Sequence, residues 1–171
     1  MQDLFRVSID DFKQSPKIPV SIILDDVRSL QNIGSIFRTS DAFAIEKIYL
    51  CGITGTPPQR EIERTALGAT RSVAWEYFTT ITDALITCKK LGHQIWAIEQ
   101  LDVSVSLANF QPNSSNHYAL IFGNEVNGVS EPTFPYLQGG IEIPQFGTKH
   151  SFNVSVSVGI ILWDFFMKLK S

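Results

Sequence analysis

The chain has 171 residues, of which 44% are hydrophobic and 18% charged, a balance that fits one globular domain and excludes a disordered one. Its formal net charge of −3 argues mildly against a nucleic-acid partner, because affinity for a polyanion comes largely from neutralising phosphates. Cys51 and Cys88 have no paired spacing and the histidines His93, His117 and His150 are scattered, so the expectation is reduced thiols in a cytoplasmic protein without a metal.

Residues 1–18 read as a short N-terminal arm, with acidic residues where a secretory leader would be apolar, and residues 19–171 as the domain. Val20 to Leu24 is an apolar run, read as a buried strand. Asn32 opens a helix on which Ile33, Ile36, Phe37 and Ala44 repeat at helical spacing. Gly34 and Arg38 share a face of that helix, and glycine there permits a close approach by a backbone or a ligand. Lys47 to Cys51 is the next strand, and Gly52 to Arg60 is a loop rich in glycine and proline. Glu61 to Ala69 reads as a short helix closing at Gly68.

Trp75 to Phe78 is a third strand. A helix over Ile81 to Leu91 ends at Gly92. Gln94 to Ile98 and Tyr118 to Phe122 are strands four and five, and Ile141 to Pro144 a sixth. The segment from Phe152 alternates with period two, as a strand would. Continued through Lys168 it is apolar almost all round, as a buried helix would be, and local pattern leaves the two equal. No apolar run is long enough to span a bilayer. Strands alternating with helices make this an α/β chain, a parallel sheet with helices on both faces.

Open α/β sheets bind ligands beyond the carboxyl ends of their strands. The residues there are Asp25 to Gly34, Glu99-Gln100, Gly123-Asn124-Glu125 and Gln145 to Ser151, small or polar as a site requires. Dinucleotide and P-loop glycine signatures are missing. Singly, Asn32 is a helix N-cap, Arg38 a solvated arginine, Ser151 and Asn153 a turn and cap, and Gly123-x-Glu125-x-x-Gly128 a turn.

Together the pieces are more specific. Asn32-Ile-Gly34-Ser-Ile-Phe-Arg38-Thr, Ile121-Phe-Gly123-Asn-Glu125-Val-Asn-Gly128-Val and Ile143-Pro-Gln-Phe-Gly147-Thr-Lys-His-Ser151-Phe-Asn153-Val-Ser155-Val resemble, in order and separation, the three signature motifs of the TrmH/SpoU branch of the SPOUT RNA methyltransferases. The resemblance covers the chain from about residue 20 onward. It implies a C-terminal deep trefoil knot, a helix after the third motif, a homodimer with each site at the interface, S-adenosylmethionine as methyl donor, and 2′-O-methylation of a ribose in tRNA or rRNA. Carried over by position, cofactor contacts fall to Ile98, Gly123, Ile143 and Phe152. The catalytic set is Arg38, Asn32, Glu125, Ser151 and Asn153. Arg38 grips a phosphate and stabilises the developing alkoxide, and Asn32 orients Arg38 or the ribose. Glu125 and Asn153 shape the cofactor loops, and Ser151 meets the substrate or the arginine. Phe152 and Gln145 depart from the leucine and methionine usual in the motif. RNA would be held by Arg28, Arg60, Arg64, Arg71, Lys149 and His150. The competing readings are an inactive SPOUT domain that only binds RNA, and a flavodoxin-like small-molecule protein.

Overall fold

Side-chain alternation along the central strands assigns the two faces of the sheet. On β1 (Ile18–Asp25) Val20, Ile22 and Leu24 point into one core and Ile23 into the other. On β6 (Tyr118–Phe122) Tyr118, Leu120 and Phe122 join the first core, and Ala119 and Ile121 the second. β6 is apolar throughout, and β1 nearly so apart from buried Ser21 and Asp25, because both faces are covered. The computed structural model describes residues 7–149 and 151–170.

The other strands are β2 (Ile45–Cys51), β3 (Trp75–Phe78), β4 (Gln94–Ala97), β5 (Ser104–Ser106) and β7 (Gly139–Glu142). They form one sheet in the order β3-β2-β1-β6-β4-β7-β5, and every pairing is parallel. The first core is closed by α2 (Leu30–Ala42), α3 (Arg60–Ala66), α4 (Ala69–Ser72) and α6 (Val154–Lys170), and the second by α5 (Ile81–Lys90). The expected α/β class with helices on both faces is therefore observed.

Several boundaries differ from the sequence reading. The arm carries a helix, α1 (Ile9–Gln14), capped by Ser8. Ser29, not Asn32, is the N-cap of α2, accepting from the Asn32 amide, and Ala44 lies beyond the helix with φ +49°. The helix expected over 61–69 is two, because Leu67 and Gly68 both take left-handed conformations between them. The sixth expected strand begins two residues earlier, at Gly139, and ends at Glu142. The ambiguous segment is helix α6. Its buried residues Val154, Val158, Ile161, Leu162 and Phe165 follow helical spacing, and Asn153 caps it by accepting from the Ser155 amide at 2.9 Å.

Gly34 is required by the α2–α3 contact. A Cβ there would lie 2.0 Å from Thr65 Oγ1 and 2.3 Å from the Ile62 carbonyl oxygen, so the close approach is by a backbone. Among the described residues no helix is long and apolar enough to cross a membrane. Both cysteines are free and buried.

Candidate functional site

The chain leaves β4, β6 and β7 on the same edge of the sheet, and the three loops that follow, together with the first turn of α6, enclose a cleft of about 420 Å³. Ligand sites usually fall between ~300 and ~1,000 Å³. Its floor is apolar, from Ile98, Phe122, Ile141, Ile143, Phe152 and Val154. Its polar lining includes Glu99, Glu125 and Glu142 with Asn124, Gln100, Ser151 and Asn153, and among the described residues no lysine or arginine lines it.

The loop after β6 is the most constrained part. Asn124 and Gly128 exchange backbone hydrogen bonds of 3.0 and 2.9 Å across three intervening residues. The Asn124 side chain accepts from the amides of Val126 and Asn127, at 2.9 and 3.1 Å, and donates to the Asp26 carbonyl at 2.7 Å. A Cβ on Gly123 would come within 2.2 Å of the Gly128 carbonyl carbon and 2.3 Å of the Val129 nitrogen. Glycine at 123 thus admits the folded-back loop itself. Buried Asp25 anchors the loop's far end, accepting from the Ser130 amide at 2.9 Å.

Two contacts tie the cleft to α2. Glu125 accepts from the amides of Arg28 and Ser29, both at 3.3 Å, so a carboxylate sits at the positive end of the helix. Asn32 Oδ1 accepts from Asn153 Nδ2 at 3.2 Å, and Ser155 Oγ donates 2.6 Å to Asn153 Oδ1. The three sequence motifs are therefore joined by hydrogen bonds between side chains, caps and loops.

Of the residues singled out in the sequence, Ile98, Gly123, Glu125, Ile143, Ser151, Phe152 and Asn153 line this cleft. Arg38 does not. It is exposed on α2 and shares a shallow groove of about 620 Å³ with Arg64, Ser35, Thr39, Phe43 and Leu67. Arg28, Arg60, Arg71 and Lys149 are exposed and line neither cavity. His150 lies outside the described residues. The site list from sequence omitted Glu99, Gln100, Asn124 and Glu142. The first three directly follow strands, the position that marks a ligand edge, while Glu142 was hidden as a strand residue.

The SpoU rRNA Methylase family model matches residues 19–163. The 23S rRNA (guanosine-2′-O-)-methyltransferase RlmB of Neisseria meningitidis serogroup B is 30% identical over 144 residues, 84% of this chain and 56% of that protein. The tRNA (guanosine(18)-2′-O)-methyltransferase of Thermus thermophilus is 25% identical over 159 residues, 93% and 80% of the two chains. Among solved structures, the AdoMet-bound rRNA methyltransferase from Sinorhizobium meliloti superposes with a TM-score of 0.83 at 26% identity, covering 94% of this chain and 61% of that one. The A. aeolicus TrmH/SpoU tRNA modifying enzyme gives 0.82 at 25%, covering 95% and 82%. The chain thus spans little more than half of the Neisseria relative.

Proposed function

Because this chain belongs to the SpoU rRNA Methylase family, we propose that it is an S-adenosylmethionine-dependent RNA methyltransferase acting on a ribose 2′-hydroxyl, in tRNA or rRNA. The observation that carries the reading is the charge of the cleft. Among the described residues, three carboxylates and no lysine or arginine line a pocket of ligand size. A phosphate-bearing cofactor would be repelled there, whereas a sulfonium and an ammonium group are attracted. The apolar floor under Ile98, Ile143 and Phe152 suits an adenine ring, so the residues present fit this cofactor. When bound, it supplies an electrophilic methyl group.

The chain's own residues would position the acceptor. Glu125 and Asn153 hold the cofactor loops against α2 through the amides of Arg28 and Ser29 and through Asn32. Arg38 offers a planar guanidinium fork and serves as a bidentate phosphate grip that stabilises developing negative charge on the ribose oxygen. Among the described residues it has no hydrogen-bond or ion-pair partner, and its planar fork is available.

Arg38 stands outside its own chain's cleft, which supports a homodimer whose sites combine one chain's cleft with its partner's arginine. The surface for it is the outer face of α6, where Val156, Trp163 and Met167 are 48%, 55% and 49% exposed at helical spacing, beside Phe43, whose ring lies 6.2 Å from Trp163. We also infer the trefoil knot. It is supported by the position of β7 between β4 and β5 and by the return of the chain to α2 at Asn153. The two buried free thiols support a cytoplasmic location. The test is calorimetric titration with S-adenosylmethionine in EDTA, followed by labelled methyl transfer to total RNA and mapping of 2′-O-methyl positions. Binding without transfer to any RNA identifies an inactive domain, and absence of binding refutes the proposal.

A further inference from the structure

The opposite edge of the sheet holds a second cluster of chemically capable side chains. His93 immediately precedes β4, His117 immediately precedes β6, and Glu46 is the second residue of β2. In a parallel sheet all three strand starts lie on one edge, away from the cleft. The sequence shows nothing of this, because positions 46, 93 and 117 are far apart and the strand order alone unites them. One ligand atom from each residue lies within 4.8 Å of the other two.

Local structure fixes His93. Helix α5 ends with Gly92 at φ +81°. The Gly92 amide donates to the Lys89 carbonyl and the His93 amide to the Cys88 carbonyl, both at 3.0 Å, the paired bonds of a Schellman end. The Cys88 carbonyl also lies 3.2 Å from His93 Nδ1. A carbonyl only accepts, so Nδ1 carries a proton and Nε2 is the nitrogen left to take another partner. That side chain is 7% exposed, and Nε2 is buried without a hydrogen-bond partner. It faces Glu46 Oε2 at 3.5 Å. His117 Nδ1 lies 2.8 Å from the other carboxylate oxygen, with its ring edge-on to His93 at 89°.

A ring nitrogen facing a carboxylate oxygen needs a positive charge between them, which a proton or a metal cation supplies. We propose that Glu46, His93 and His117 bind one divalent transition-metal ion of the zinc class, clamping the starts of β2, β4 and β6. Bonds of about 2.0–2.1 Å in a tetrahedron place ligand atoms about 3.3 Å apart, close to the His93–Glu46 separation. His117, with 53% of its side chain exposed, is free to rotate into the third position and leaves the fourth to water. Two imidazoles and a carboxylate suit zinc rather than magnesium or calcium, which take oxygen ligands. A ring N–H held by a backbone carbonyl is the usual outer support of a ligating histidine.

The test uses the full chain stripped of metal by a chelator and titrated with Zn²⁺ against a chromophoric competitor, with Co²⁺ as a spectroscopic substitute. The expected result is one ion per chain at micromolar affinity, a tetrahedral Co²⁺ spectrum, and a melting temperature that rises with Zn²⁺. His117→Ala, at an exposed position, should weaken binding at least about tenfold, the scale reached by removing even an outer-shell partner, while the metal-free melting temperature stays put. Glu46→Gln should do the same, and His150→Ala should leave binding unchanged. The imidazole nitrogen resonances of His93 and His117 should shift on addition of Zn²⁺. No stoichiometric binding at micromolar Zn²⁺, or binding indifferent to both His117→Ala and Glu46→Gln, overturns the proposal.

Discussion

Gly123→Ala isolates the packing on which the cleft depends. The added methyl would meet three backbone atoms, at 2.2, 2.3 and 2.4 Å, and no flexible side chain can yield in their place. Ordinary contact is about 3.5–4.0 Å, so the loop over 124–128 has to retreat by more than about 1 Å. That retreat strains the Asn124–Gly128 exchange, the Asn124 bond to Asp26 and the Asp25 bond to Ser130. Losing two or three such bonds at ~1 kcal/mol each comes to about 2–3 kcal/mol, the usual scale of overpacking. If the displaced loop is the one that closes on the cofactor, S-adenosylmethionine binding should weaken by about 30- to 150-fold, at ~1.4 kcal/mol per tenfold. The control is Gly159→Ala on α6, where an added Cβ meets nothing within 4 Å and better helix propensity should stabilise by ~0.5–1 kcal/mol. Calorimetric titration and thermal melting of both variants make the comparison. A Gly123→Ala protein that binds the cofactor like the parent would show that this loop does not shape the cofactor site.

Arg38→Ala should lower single-turnover methyl transfer by about 10²–10³ and leave cofactor affinity unchanged, because Arg38 lines the groove with Arg64 and not the cleft. Arg38→Lys should restore little, and normal transfer by either variant would remove Arg38 from the mechanism. Sedimentation should give twice 19.1 kDa, and Trp163→Glu, which places a charge on the outer apolar face of α6, should yield monomers. A Trp163→Glu dimer would put the interface elsewhere. Burial raises the Cys51 thiol far above its ordinary range and, despite the hydrogen bond with Tyr49, lifts Cys88 to about 11. The neutral thiol is favoured in the folded state, so the Cys88 contribution is whole below pH 9, where the unfolded thiol begins to ionise, and is lost as pH rises toward 11. Cys88→Ala should flatten the stability profile across that window, and the native protein should resist thiol reagents at neutral pH until unfolded. Rapid native labelling would contradict the burial argument.

How far the sequence could be read depended on how many residues enforce each feature. β1 and β6 were plain because long apolar runs have to be buried on both sides. β5 is three residues, Ser-Val-Ser, with the valine exposed, and carries no pattern at all. The break between α3 and α4 turns on Leu67, a non-glycine residue at φ +51°, which no propensity anticipates. The strand start at Gly139 lies in a Gly-Gly pair that lacks side chains to alternate. The cleft was more legible than its architecture, since polar residues directly after a strand mark the ligand edge whichever strand neighbours which. The capping role of Glu125 toward Arg28 and Ser29 was hidden, because it spans 97 residues and depends on β1 pairing with β6. The Glu46–His93–His117 cluster was hidden for the same reason.

Net charge bears on the proposed RNA partner less than the distribution of charge does. Every arginine after Arg6 lies between Arg28 and Arg71, and none of these five enters an ion pair among the described residues. Three nearby acids are occupied otherwise. Asp26 accepts from the Ile53 amide, Asp41 from Ser72 and Glu63 from Thr70. Two lysines cancel locally in ion pairs, Lys47 with Glu76 and Lys168 with Asp164. Fields beyond about 8 Å are largely screened at physiological salt, so under the proposed function an RNA phosphate at the α2–α4 surface would meet the arginines there and not the average of the chain. The carboxylates of the cleft would repel phosphate at the mouth of the pocket and attract the proposed cationic cofactor, so one acidic chain could present both an arginine-bearing face and a phosphate-excluding cleft.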